Sequence, residues 1–432
     1  MKNTAFCTLL TILLALPAGA AEQPADQAPQ WKAGAASAVI TPKSPLRMAG
    51  YGGRKEPAEG TEQDLFAKSL AIEDRDGNRI VIVTMDLIGV IERLRTAVVE
   101  QVQQKYKLPP HLLLMNASHT HCGPAYGRDE AQDYFDSLAK TLVELVGKSL
   151  DGLEPASLSY CYARCGFAMN RRTPTKDGYR NHPNPDGPVD HTVPVLRVDA
   201  PNGQLRSVLF GYACHNTNMG FLKWLGDYAG YAQEYFEKDH PGVTAHFMMG
   251  CGADQNPYPR SELKYAQRHG RSLATAVEAA LEVNQKVFLH QHPLQGPLRA
   301  ALETVTLESA KPGRADCAYP VHVVRFGNDL AIIALGNEVV VDYSLRLKRE
   351  LTKPDGPAIW VAGYSNMYDN YIASKRVAEE GGYEARCCPW KPSLEERIVG
   401  KVHDLYGRLE KTPAKTSVPS TEKGQSNEAD SH

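Results

Sequence analysis

The segment 78–118 restricts the fold of this chain more than any other stretch. "NRIVIVTMDLI" (78–88) is a continuous aliphatic and β-branched run, the pattern of a strand buried on both faces. "ERLRTAVVEQVQQKYK" (92–107) switches to helical spacing of its apolar residues, and "HLLLMNAS" (111–118) returns to a strand. A strand–helix–strand unit favours parallel pairing, because the helix supplies the long crossover that parallel strands need. The alternation continues downstream. Helical spacing recurs at 133–150 and 263–283, and short apolar runs at 205–215, 243–250, 329–336 and 358–363 read as further strands. The expected fold is α/β, with mixed, largely parallel sheets flanked by helices.

The unusual polar residues fall where such a fold collects its ligands. His119 and His121, in "NASHTHCGP", follow the strand at 111–118, and His215 ends the one at 205–214. Glu338 comes just after "AIIALG", past Asn337, and Tyr368 and Tyr371 follow "AIWVAGYSN". Open α/β sheets bind ligands outside the carboxyl ends of their strands. Imidazoles, a carboxylate and an oxygen donor converging there suit zinc, with a position left for water. Each residue alone has a simpler account: a core histidine held by hydrogen bonds, a carboxylate at a helix N-terminus, tyrosines that pack. Their common placement is what argues for a site. An H-x-H pair also opens amidohydrolase-type barrels, but here the pair follows an earlier strand–helix unit and no later His, His, Asp series appears.

Composition sets the frame. The chain has 432 residues, 42% apolar and 23% charged, with a net charge of −2, a mix that suits a globular enzyme and argues against nucleic acid as a partner. Residues 1–20 read as a secretory signal: Lys2, an apolar stretch too short to span a bilayer comfortably, then Ala18-Gly19-Ala20. The alternative is a retained membrane anchor; no later stretch reads as a transmembrane helix. Residues 21–30 form a polar spacer, 31–408 one continuous domain, and 409–432 a polar tail rich in Pro, Ser and Thr. An exported chain would be periplasmic or extracellular, where disulfides are permitted, and Cys161/Cys165 and Cys387/Cys388 are candidate pairs. Cys122, Cys214 and Cys251 read as small buried residues, and the absence of a CxxC pair argues against a thiolate zinc cluster.

Several ordered motifs resemble the neutral/alkaline, non-lysosomal ceramidases, zinc amidases that cleave the N-acyl bond of ceramide. "SAVITP", "MAGYGGR", "SHTHCGP", "MNRR", "GPVDHTVPVLRVD", "GYACHNTNM", "GDYAGYA", "GNEVVVDYSLRL" and "YSNMYDNY" fall in the family's order between residues 31 and 407. The resemblance implies His119, His215, Glu338 and Tyr371 as zinc ligands, His121 as a proton shuttle, and Arg171 and Tyr383 facing the substrate. Tyr368 would be a packing neighbour, and Asp227 either a site carboxylate or a loop cap. One departure stands out. The family carries a serine in G-D-x-S-P-N, where this chain has "GADQNP" with Gln255. Glutamine rules out a serine nucleophile at that position, while its amide can donate to an oxyanion.

The resemblance covers a catalytic domain only, and "RRTPTKDGYRNHPNPDGP" (171–188) is polar where a lipid pocket would be greasy. The leading expectation is a secreted zinc hydrolase whose activated water attacks an N-acyl amide, with a small molecule or a ceramide-like lipid as substrate. An esterase or carbohydrate-directed hydrolase, and a non-catalytic binding protein on the same scaffold, are the alternatives. A purely structural zinc would normally be closed by four ligands and often cysteine-rich.

Overall fold

In the computed structural model, which describes residues 30–282 and 292–411, the strand–helix–strand unit is present. Arg79–Met85 and Leu113–Ala117 pair in parallel, joined by the helix Glu92–Tyr106. Ile80–Met85 and all of Leu113–Ala117 are buried, so both faces of these strands need cover. Two more parallel pairs have the same construction. Leu205–Tyr212 pairs with Thr244–Met249 over the helix Asp227–Asp239, and Leu330–Leu335 with Ala358–Ala362 over the helix Val341–Leu351.

Antiparallel ladders connect these units. Trp31–Val39, Phe66–Asp74, Glu154–Arg164 and Thr192–Asp199 fill the middle of a nine-stranded sheet, with Thr244–Met249 at one end and Leu113–Ala117 at the other. Leu298–Leu307 and Cys317–Phe326 extend the third parallel pair into a four-stranded sheet. The sheets pack face to face: Ile72, Leu114, Leu196 and Met248 of the larger meet Phe326, Ile332 and Trp360 of the smaller in one apolar core. Helices close both outer faces. Gln132–Asp151, for example, buries Phe135, Leu138, Leu142, Val143 and Val146, the apolar stripe its spacing implied. The result is helix–sheet–sheet–helix, a mixed α/β fold and not a barrel.

One amide ties the architecture together. Asn116 accepts from Met249 N at 2.8 Å and donates to Gly363 O at 2.8 Å, joining the two ends of the larger sheet to the smaller one. The carboxyl ends of all three parallel pairs therefore meet in one place.

Among the described residues, no helix is long and apolar enough to cross a membrane. The expected signal (1–20) and nearly all of the spacer and the tail lie outside the described residues; the last helix, Leu394–Lys411, runs past the boundary expected at 408. The candidate disulfides are not formed: all eight cysteines from Cys122 onward are free thiols. For Cys161 the reason is geometric. It sits in the extended strand Glu154–Arg164, and four residues of extended chain span about 13 Å, far beyond the reach of a disulfide. Cys122, Cys214 and Cys251 are fully buried, as expected.

Candidate active site

His119 leaves its strand in a left-handed turn, with φ of 59°. A side chain with a Cβ adopts that conformation at a cost, and such strain gathers at sites where the surroundings over-determine it. The turn drives Nδ1 to within 2.7 Å of Ile88 O. His215 repeats the arrangement, with Nδ1 2.7 Å from Gly252 O. A ring nitrogen facing a carbonyl must carry the proton, so in both histidines the Nε2 lone pair is left free and aimed. Tyr364, itself at φ 50°, packs its ring 4.5 Å from that of His119 and holds it in place.

Glu338 and Tyr371 arrive together. They are direct partners in a two-residue parallel ladder, Glu338–Val339 against Tyr371–Ile372. Glu338 Oε2 lies 3.3 Å from His119 Nε2 and 3.2 Å from His215 Nε2, yet it is buried and receives no hydrogen bond. Its other oxygen accepts from Tyr368 OH at 3.4 Å, so Tyr368 serves the carboxylate as well as packing against Gly89. The Tyr371 hydroxyl stands 3.5 Å from His215 Nε2 and accepts from Arg171 Nη2 at 3.1 Å.

His121 comes from the opposite side. Its Nε2 is 3.1 Å from His119 Nε2, and its buried Nδ1 has no partner. Two neighbours from the loop after the first strand fix the ring. Tyr51 packs edge-on at 4.7 Å, and Gly50, at φ +95°, lies so close that a Cβ there would sit 2.3 Å from His121 Cγ. Arg54 Nη1 donates to the His121 carbonyl. His119, His121 and His215 present ring nitrogens all within 4.8 Å of one another, a group that could hold a metal ion.

Burial disfavours the charged form of His121 and of His215. It lowers the His121 pKa well below the ordinary histidine value, with His119 and His215 adding to the effect. It lowers His215 to about 3, with Arg171 contributing. The centre thus opposes two nitrogen lone pairs to a carboxylate oxygen at 3.2–3.3 Å with no hydrogen between them. That contact is unfavourable unless a cation sits among the three, which is the chemical signature of a metal site.

The remaining expected residues divide. Arg171 is buried and engaged by Glu384 at 2.9 Å, Asn256 at 3.2 Å and the Tyr371 hydroxyl, so it braces Tyr371 instead of lying open to a substrate. Tyr383 is 41% exposed, 5.5 Å ring to ring from Tyr371, and stands at the mouth. Gln255 is not brought to the histidines through its amide: Oε1 accepts from Asp190 N at 3.0 Å and Nε2 donates to Cys251 O at 3.2 Å. Its main-chain carbonyl instead accepts from His215 N at 2.8 Å. Asp227 is fully buried and spends both oxygens on Asn218, Met219 N and Tyr228 N, which makes it a loop brace. Tyr51, Arg54, Tyr364 and Glu384 were not singled out from sequence. Only the glycines of "MAGYGGR" signalled a close approach, and nothing local says what approaches.

Residues 31–250 match the family model for neutral/alkaline non-lysosomal ceramidase, N-terminal. Among curated proteins, neutral ceramidase B of Dictyostelium discoideum is 27% identical over 220 residues, 46% of this chain and 30% of that protein. Neutral ceramidase A of the same organism is 25% identical over 234 residues, 50% of this chain and 32% of that protein. The matched stretch spans about a third of the length of these relatives. The crystal structure of neutral ceramidase from Pseudomonas aeruginosa superposes with a TM-score of 0.76 at 17% identity, covering 92% of this chain and 77% of that one, a likeness of fold. The family match takes in His119, His121 and His215 and extends over just over half of the sequence; the chain belongs to the neutral/alkaline non-lysosomal ceramidase family.

Proposed function

We propose that this protein is an exported zinc-dependent amidase that hydrolyses an N-acyl amide, in ceramide or a related N-acyl compound. The observation that carries the reading is the convergence of His119 Nε2, His215 Nε2 and the unpartnered Glu338 Oε2 within 3.3 Å. These three, with the Tyr371 hydroxyl beside them, would hold the zinc. The chemistry zinc supplies in such a site is Lewis acidity, which polarises a carbonyl and makes water nucleophilic near neutral pH.

The chain's own residues account for the rest. His121, whose Nε2 faces the centre 3.1 Å from His119 Nε2, takes a proton from the attacking water and returns it to the amide nitrogen. A C–O bond forms as the C–N bond breaks, leaving a carboxylate and an amine. Arg171 positions Tyr371, and Tyr383 at the mouth meets the substrate. Gln255 acts at one remove, its main-chain carbonyl orienting the His215 segment while its committed amide contributes no nucleophile.

The test is metal analysis of the purified protein, followed by turnover of a short-chain ceramide with and without chelator. Stoichiometric zinc and chelator-sensitive, zinc-restored hydrolysis are expected. Protein that purifies without zinc from zinc-supplemented medium, or turnover indifferent to chelator, refutes the reading.

A further inference from the structure

The flank of the centre behind His121 carries two guanidinium groups, and among the described residues neither is in an ion pair. Arg260 Nη2 donates to the Tyr51 hydroxyl at 3.2 Å, and Tyr51 is the ring set edge-on against His121. Arg54 lies over the other side of that ring, 4.7 Å from its centroid. Its partners are the Ala49 and His121 carbonyls and Cys122 Sγ, and its buried Nε has none. Among the described residues neither guanidinium meets a carboxylate. Asp227 has its oxygens filled by Asn218, Met219 N and Tyr228 N.

Elsewhere around the centre, charge is balanced. Arg171 and Arg172 share Glu384, with both side chains of each pair buried. An unpaired arginine pair is therefore a local feature of the His121 side. Arg260 is only partly buried, and it reaches the centre through Tyr51, whose hydroxyl it holds at 3.2 Å and whose ring lies 4.7 Å from that of His121. Its guanidinium thus stands one ring behind His121. Guanidinium groups so placed recognise carboxylate or phosphate oxygens through charge-assisted hydrogen bonds.

The polarity of the mouth agrees. The strands Ala168–Thr175 and Gly178–Asn184 form a hairpin beside Gly382 and Tyr383, and Asp177 and Arg180 at its tip are exposed. A rim of this kind suits a polar substrate portion better than a second alkyl chain.

Resting on the amidase reading, we propose that Arg260, backed by Arg54, forms an anion subsite, and that the favoured substrate carries a carboxylate on its amine portion, as an N-acyl amino acid does. The amine side follows from the proton path. His121 delivers its proton to the leaving nitrogen, so the leaving group lies on the His121 flank, where the arginines are.

The experiment compares N-acylglycine with the N-acylethanolamine of the same chain length, on the zinc-loaded protein, with calorimetric binding of both measured in parallel. The wild type is expected to favour the glycine conjugate in kcat/KM. Arg260→Gln should lower that anionic-to-neutral ratio by about tenfold or more, the loss of one charge-assisted contact, and Arg260→Lys should keep part of it. A ratio unchanged in Arg260→Gln, in a variant with wild-type Tm, overturns the subsite while leaving the amidase reading intact. If neither compound turns over but N-acylglycine binds and Arg260→Gln weakens that binding, the subsite stands and the amidase reading falls. If neither compound binds the wild type, the subsite falls as well.

Discussion

Gly50→Ala separates the role of His121 from those of the metal-facing residues. The new Cβ would lie 2.3 Å from His121 Cγ, 2.5 Å from Nδ1 and 2.7 Å from Cβ, where ordinary contact begins at 3.4 Å. Relief requires the ring or the loop to move by about 1.1 Å, the difference between 3.4 and 2.3 Å. Residue 50 also sits at φ +95°, which alanine adopts at a cost of roughly 1–2 kcal/mol. Displacement of a catalytic group by 1 Å lowers turnover on the order of 100-fold. The expected phenotype is therefore a kcat reduced by about two orders of magnitude, a stability loss of a few kcal/mol at most, and zinc content near that of the wild type. Steady-state kinetics, metal analysis and thermal unfolding on the same preparation read all three. Wild-type kcat would show that the position of His121 does not matter to the reaction. Zinc loss in proportion to activity would show instead that His121 is itself a ligand, and the division of labour between the two histidines would be wrong.

Three further outcomes are expected. Glu338→Gln should lower zinc occupancy in the holoprotein, yet in chelated, metal-free protein it should raise Tm, because the amide can donate to a histidine nitrogen where the carboxylate is only repelled; a lower metal-free Tm than wild type would count against the lone-pair argument. Glu384→Gln removes the acid from a pair whose side chains are 5% and 2% exposed, and leaving Arg171 and Arg172 short of charge should destabilise the fold by about 3–5 kcal/mol in denaturant unfolding; a change below about 1 kcal/mol would mean the arginines are neutralised some other way. Burial, reinforced by Asp342, raises the Asp254 pKa from 3.8 to about 7. The folded state then binds more protons than the unfolded one between those values, so this group's contribution to stability is present at low pH and falls as pH rises toward 7. Asp254→Asn should flatten that part of the stability–pH curve, and an unchanged slope refutes the assignment.

How the site came to be legible is clearest at His119, Glu338 and Gln255. Aliphatic runs reveal the strands of the three parallel units, and helical spacing reveals the crossover of the first, because backbone period and side-chain burial are local properties; the helices Asp227–Asp239 and Val341–Leu351 did not stand out by spacing. The end of each strand then follows, and with it the residues that must lie near the carboxyl edge of a sheet. Their convergence depended on contacts between distant segments, such as the Asn116 amide bonding Gly363 across 247 positions. Gln255 was misplaced for the same reason. Its motif put the side chain at the reaction, but Asp190 N, 65 residues away, takes its oxygen, and no local pattern records that demand.

The antiparallel ladders, the face-to-face packing of the two sheets, and the approach of Tyr51, Arg54 and Arg260 to His121 were likewise decided by the tertiary structure. The sequence by itself determined which chemistry the chain could assemble: neutral imidazoles, a carboxylate and phenols, each at the end of a buried strand. Only the folded chain decided which lone pairs face one another, which polar groups are already satisfied, and which charges are left without a partner. Those are properties of pairs of atoms far apart in sequence, set by burial and hydrogen bonding instead of by period.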